Sequence, residues 1–326
     1  MKKFILKSLP FILIFSIIRV VPNVVFPNFI FFRFWEYAHI DQEPPTLPRF
    51  TPNLNVTILE EGDINHGQTC SVAKSINWFT DKYGFRNQNN IRNSEYIFVG
   101  CSNVLGSNCE YLNTFSGIIN ENHKVYNIAP DYNLNFFQKI YCDEKPEKIK
   151  HIFLVQAARF FTPKDQFKYS KVPFDNEING RYYNIVQRIE GNYFGNKIQR
   201  VFSIANLFST DCNGQPHYYE TLPETEFVSN NVKELYNRLE FFKIPTTIIV
   251  IPDKEFYRQE DTINKQVYFQ IINDLNSFKM STVNISSLFD QQCYFHGDGH
   301  INEQGHKIIA KIINDRINSL KLNHTK

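Results

Sequence analysis

The sequence predicts a three-layer α/β/α fold around a mainly parallel, five-stranded sheet, and three observations carry that prediction. Runs of β-favouring residues at Tyr96 to Val99, Lys124 to Ile128, Lys150 to Val155, Thr246 to Ile251 and Thr282 to Ile285 are each followed by turn residues and then by a helix-compatible stretch. Apolar strands alternating with helices fit a parallel sheet covered on both faces. Near the C-terminus Ile308, Ile309, Ile312, Ile313, Ile317 and Leu320 fall on one helical face while Lys307, Lys311, Asp315 and Asn318 occupy the other, the pattern of a helix laid on a core. The first strand ends at Gly100, so the chain turns there and brings Ser102 to the C-terminal edge of the sheet, where α/β proteins expose reactive groups.

The segments ahead of the sheet have a different character. Residues 1–40 begin with Lys2, Lys3 and Lys7 and continue from Leu9 to Ile18 in an apolar run, the basic head and hydrophobic stretch of an export signal. A second apolar run, Val20 to Phe32, follows Arg19 and is broken by Pro22, Asn23, Pro27 and Asn28. Crossing a bilayer takes roughly 20 apolar residues, so the two runs read together as one imperfect span whose lysines keep the N-terminus cytoplasmic. No Ala-x-Ala-like cleavage site ends it, the first alanine being Ala38, so retention as a membrane anchor is expected; a buried helix of a soluble domain is the competing reading. Residues 41–94 form a spacer stiffened by Pro44, Pro45, Pro48 and Pro52, then a small β-rich lead-in with the alternation Asn55-Val56-Thr57-Ile58-Leu59. Residues 95–326 hold the sheet, with an insertion around 160–230, rich in Tyr, Asn and charge, that would shape a substrate cleft.

At 326 residues the chain can bury one full core and carry an appendage, since single cores stop growing near about 250 to 300 residues. Its 35 basic and 33 acidic side chains nearly cancel, which argues against a nucleic-acid partner or a polyanion held by bulk charge. Cys70, Cys101, Cys109, Cys142, Cys212 and Cys293 have no metal-ligand spacing, and no metal or cofactor is expected. In an exported domain some of them could pair, in a connectivity that sequence alone does not select.

Ser102 is answered nearly two hundred residues later by Asp298-Gly299-His300, just ahead of the last helix. A serine hydroxyl is a poor nucleophile until a base takes its proton, and that base needs a carboxylate to fix its tautomer and stabilise the imidazolium. Ser102, His300 and Asp298 are therefore the candidate nucleophile, base and orienting acid. A strand-end serine or an Asp-x-His by itself is usually a turn or a surface loop; the pairing of the two is what points to catalysis. His306, at the helix start, reads as a surface or packing histidine. His296 competes with His300 as the base, and Cys101 competes with Ser102 as an intrinsically stronger nucleophile.

The Gly100-Cys101-Ser102 turn and the late Asp298-x-His300 block together resemble the GDSL/SGNH hydrolase family, whose nucleophile sits in a Gly-Asp-Ser turn after the first strand. Asp81-Lys82-Tyr83-Gly84-Phe85-Arg86-Asn87 is similar to the Gly-Phe-Arg lead-in of its membrane-anchored bacterial members. The resemblance spans roughly residues 80 to 320, with strong blocks at both ends and a weak middle. It implies a flavodoxin-like SGNH hydrolase fold, His300 rather than His296 as the base, and Cys101 in the place of the family's turn-supporting aspartate. It also implies an oxyanion hole made by the serine N–H, a glycine N–H after the second strand and an Asn side chain after the third. Here the chain departs from the family, because Ala129-Pro130-Asp131-Tyr132 contains no glycine and Arg159 stands where the Asn belongs. Ala129, Tyr132 and Arg159 are accordingly the oxyanion or substrate candidates. A guanidinium at Arg159 can stabilise an oxyanion, hold a substrate carboxylate, or serve as the structural partner of an acidic neighbour. The implied function is a serine esterase or O-acyltransferase on the exported side of a membrane, acting on an acylated small molecule or on acyl groups of cell-envelope glycans. The rival implication is a binding or accessory protein that keeps the fold without efficient turnover.

Overall fold

The computed structural model describes residues 47, 50–60, 64–65, 68–69, 74–162, 167–169, 217–219, 225–257, 262–295 and 299–324. Ahead of the sheet, β1 (Asn55–Glu60) pairs antiparallel with β4 (Lys74–Phe79), and β2 (Ile64–Asn65) with β3 (Gln68–Thr69). Next come β5 (Tyr96–Gly100), β6 (Val125–Ile128) and β7 (His151–Ala157), then the short antiparallel pair β8 (Phe167–Tyr169) and β9 (His217–Tyr219). With β10 (Thr246–Ile251) and β11 (Ser281–Asn284), strands β5, β6 and β7 make one parallel sheet in the order β11-β10-β7-β5-β6. The helices are α1 (Ser102–Leu105), α2 (Phe115–Asn120), α3 (Asn135–Glu144), α4 (Thr225–Glu240), α5 (Thr262–Ser277) and α6 (Glu303–His324).

The uninterrupted apolar strands are buried on both faces, and alternate residues feed two separate cores. Ile97, Val99, Ile152, Leu154, Ile248 and Val250 face the core closed by α3, α4 and α5. Phe98, Phe153, Val155, Ile249 and Ile251 face the opposite core, closed by α2 and α6. On α6 the buried face is Ile309, Ile313 and Ile317, one turn apart and without solvent exposure, each contributing about 1.5–3 kcal/mol by leaving water. The lead-in belongs to the same body, since Phe50, Trp78 and Phe85 are fully buried in these cores. β11, the edge strand, carries Ser281, Thr282 and Asn284 and is only partly covered.

The strand bounds differ slightly from the sequence expectation, for reasons of pairing. β5 takes in Gly100 because that residue still pairs with Val155, and β7 runs on to Ala157 because β10 continues opposite it to Ile251. The chain passes from β5 to β6 on one side and then back over β5 to β7 on the other, so the winding reverses beside the C-terminal end of β5, where open α/β sheets bind ligands. Residues 1–40 and most of the expected insertion around 160–230 lie outside the described residues. Among the described residues no helix is long and apolar enough to cross a membrane.

Candidate active site

The nucleophile turn is built on two glycines with left-handed backbones. Gly100 has φ +149°, and a Cβ there would lie 1.8 Å from the carbonyl oxygen of Val155, so any side chain would pry β5 from β7. Cys101 is extended, and its carbonyl accepts the N–H of Val104 at 2.9 Å to start α1. Gly106 ends that helix at φ 76°, ψ 44°, where a Cβ would meet Thr114 Cγ2 at 2.2 Å. Ser102 thus opens a one-turn helix at the strand's end, nearly buried at 6% exposure.

The histidine arrives from the other end of the chain. Phe295 N donates to His300 O at 3.0 Å and Asn302 N to Cys293 O at 2.9 Å, folding residues 299–302 against the 293–295 segment. Asn302 then caps α6, its Oδ1 accepting from Gln304 N at 2.9 Å and Gly305 N at 3.2 Å. These bonds hold His300 Nε2 at 2.7 Å from Ser102 Oγ, a buried hydrogen bond between residues 198 positions apart. One step along each segment, Ile301 N donates to Asn103 Oδ1 at 3.0 Å. Asp298 and the competing His296 lie outside the described residues.

Beneath the turn the Asp81–Asn87 segment forms a polar floor. Arg86, 1% exposed, donates from Nη1 to the carbonyls of Gly106 and Cys109, both at 3.0 Å, and from Nη2 to Asn77 O at 3.2 Å. Its guanidinium lies 4.4 Å from the centre of the Trp78 ring, a cation–π contact. Asn87 brackets the backbone of Asn127, accepting its N–H at 2.6 Å and donating to its carbonyl at 2.9 Å, while Asn127 Nδ2 donates to Val104 O at 2.7 Å. Asp81 anchors the segment by accepting from Tyr83 N, Phe85 N, Asn87 and the Tyr126 hydroxyl; burial pushes its carboxyl up and these bonds pull it back.

The other candidates from the sequence fall on neighbouring strand ends. Ala129 is buried in the turn after β6, which returns to β5 through Asp131 N donating to Gly100 O at 2.8 Å. Asp131, to which the sequence assigns no role, caps α3 by accepting from Asn135 N and Phe137 N. Pro130 has no N–H to offer an oxyanion. Tyr132, 37% exposed, stacks on Phe160 with ring centres 4.5 Å apart, so the ends of β6 and β7 meet across the end of β5. The Arg159 guanidinium lies 5.3 Å from the centre of the Phe160 ring and pairs with Asp253, Nη1 to Oδ1 at 2.7 Å, while the Arg159 backbone N donates to Asp253 Oδ2 at 3.2 Å. Burial drives the Asp253 carboxyl up and the guanidinium opposes it.

His306 is a fully buried packing histidine whose Nδ1 accepts from Phe115 N at 3.3 Å; burial, then Arg86 and His300, hold it down at about 3. Cys101 is buried without exposure, and Cys101, Cys142 and Cys293 are free thiols. Among the described residues no group of His, Cys, Asp or Glu side chains is arranged to hold a metal ion.

No family model matches the chain, and no curated protein matches it in sequence. Among solved structures it is similar to a GDSL-like lipase from Bacteroides thetaiotaomicron, at 12% identity over 72% of this chain and 92% of that one, TM-score 0.38. A member of the lipolytic G-D-S-L family from Veillonella parvula matches at 14% identity over 67% of this chain and 94% of that one, TM-score 0.35. An alpha/beta hydrolase enzyme from the metagenome of Lake Arreo matches at 12% identity over 67% and 92%, TM-score 0.33.

Proposed function

We propose that this protein is a serine esterase or O-acyltransferase of the SGNH type. One observation carries the reading: a serine hydroxyl and an imidazole nitrogen, 198 positions apart in the sequence, sit 2.7 Å apart at the C-terminal edge of a parallel sheet. His300 Nε2 takes the Ser102 proton as Oγ attacks an ester carbonyl, and the tetrahedral oxyanion meets the backbone N–H of Ser102. The C–O bond of the ester then breaks and His300 returns the proton to the departing alkoxide. In the second half a water or a sugar hydroxyl gives its proton to His300 and attacks the acyl-enzyme, and Ser102 is reprotonated as the acyl group leaves. Asp298, two residues before His300, is assigned the role of fixing its tautomer.

The basic head and apolar run of residues 1–40, followed by the proline spacer, support a membrane-anchored protein with its catalytic domain on the exported side. That setting makes acyl groups on cell-envelope glycans the proposed substrate class. A second reading, a binding or accessory protein of the envelope, is favoured by the ends of β6 and β7: Pro130 offers no N–H, and the Arg159 guanidinium is engaged by Asp253.

The deciding experiment is fluorophosphonate labelling of the full chain in detergent, with short-chain aryl ester hydrolysis measured in parallel. The hydrolase reading expects labelling and turnover that both vanish in Ser102→Ala. A folded wild-type protein that is neither labelled nor active would leave the accessory reading.

A further inference from the structure

We infer that Asn103 is a positioning residue that sets the distance between nucleophile and base, an inference that rests on the hydrolase reading for its catalytic consequence. Ser102–His300 and Asn103–Ile301 are two rungs of one ladder. Consecutive side chains of the nucleophile turn meet consecutive residues of the histidine loop, and both pairs are 198 positions apart. The first rung is the reacting hydrogen bond and must break and re-form in every turnover. The second does not take part in chemistry. It joins a buried side-chain oxygen to a buried backbone N–H, and an N–H in that setting needs an acceptor.

The other bonds described around His300 tie its loop to residues 293–295 and to the cap of α6. They place the loop relative to its own neighbourhood. The Asn103–Ile301 bond instead references the loop to the nucleophile turn, and Asn103 is itself only 2% exposed and packed in α1. An acceptor two bonds beyond Cβ is what the 3.0 Å contact uses. Leucine has the same shape without the oxygen, serine falls short, and aspartate keeps the acceptor. A loop released from this reference would let the imidazole drift, and a misplacement of about 1 Å in a reacting pair can cost on the order of a hundredfold in rate.

The test uses the full chain with Asn103→Leu and Asn103→Asp, and Asn103→Ser in place of the leucine variant should that one fail to fold. Turnover of a neutral aryl ester is normalised to sites titrated by fluorophosphonate, and amide exchange is followed at Ile301. Expected for Asn103→Leu is a kcat lower by roughly 30-fold with KM within about threefold, and Ile301 exchange at least about tenfold faster. Asn103→Asp should restore kcat to within about threefold of wild type and re-protect the amide. An unchanged kcat per titrated site in the leucine or serine variant, or equal losses in the leucine and aspartate variants, would overturn the inference by reducing Asn103 to packing. Should wild type itself be inert, the hydrolase reading fails separately, and the exchange arm still decides the tie: Ile301 protection that ignores Asn103 substitution overturns it.

Discussion

The ends of β5 and β7 lie side by side in the sheet and carry opposite solutions to the same local problem. Each is a buried parallel strand that runs into a short helical turn bearing a polar side chain, Ser102 after β5 and Arg159 after β7. At β5 the neighbour that arrives is an imidazole, hydrogen-bonded to the serine hydroxyl at 2.7 Å, the pair to which the proposed function gives the chemistry. At β7 the neighbour is Asp253, a carboxylate that pairs with the guanidinium at Nη1 and takes the backbone N–H of the same arginine with its other oxygen. The contrast teaches that a strand end provides a place and the incoming partner provides the chemistry.

The most severe way to probe this contrast is to remove the reactive pair. Ser102→Ala or His300→Ala should lower aryl ester turnover by on the order of a millionfold, to background, in a protein whose circular dichroism is unchanged. Activity within tenfold of wild type would take the chemistry away from the β5 end. Asp298→Asn should cost about ten thousandfold in kcat, through the wrong imidazole tautomer, and an unaffected rate would hand the orienting role to another acid.

At the β7 end the expected loss is in stability. Arg159→Ala leaves Asp253 buried without its cation, so unfolding free energy by denaturant titration should fall by about 3–5 kcal/mol, while kcat on a neutral ester falls less than about tenfold. Adding Asp253→Asn should recover most of the stability. A slowing of tenfold or more in folded protein would make Arg159 an oxyanion donor after all, and the two strand ends would be partners in one reaction.

The smallest effect concerns the packing behind the nucleophile. His306 titrates at about 3 in the folded chain against an ordinary value near 6.5, so the folded state binds fewer protons between those limits and stability falls as pH falls through that window. His306→Gln should reduce the slope by up to about 1.4 kcal/mol per pH unit relative to wild type, measured by denaturation between pH 4 and 6. His151, held at about 4 by burial, keeps its own share of the slope in both proteins. A variant with an unchanged slope would mean that water reaches the layer under Phe115.

The sheet was legible because parallel strands covered on both faces must be apolar without interruption, and Tyr96 to Val99 or Thr246 to Ile251 admit little else. The parts of the site were legible where chemistry restricts the residue type: a strand-end serine and a late histidine are few in the chain. Asn103, Asn87 and Asn127 were not, because asparagine beside a turn looks like any turn residue, and what each binds is decided by segments far away in sequence. Asp253 was hidden for the same reason, as one acid among 33 until the fold sets it against Arg159. Arg86 stood in a quoted motif, yet nothing in the string of letters says that it points at carbonyls rather than at solvent.

That guanidinium also says something about the order in which the protein comes to life. Arg86 gathers oxygens from Asn77, Gly106 and Cys109, so the part of the serine's cradle that it ties together is drawn from one continuous stretch, residues 77–109, with little chain to close between its parts. The imidazole comes only with residue 300, 198 positions after the serine. On the proposed hydrolase reading, a growing chain can house its serine early but cannot arm it until α6, nearly two hundred residues later, settles and delivers the base.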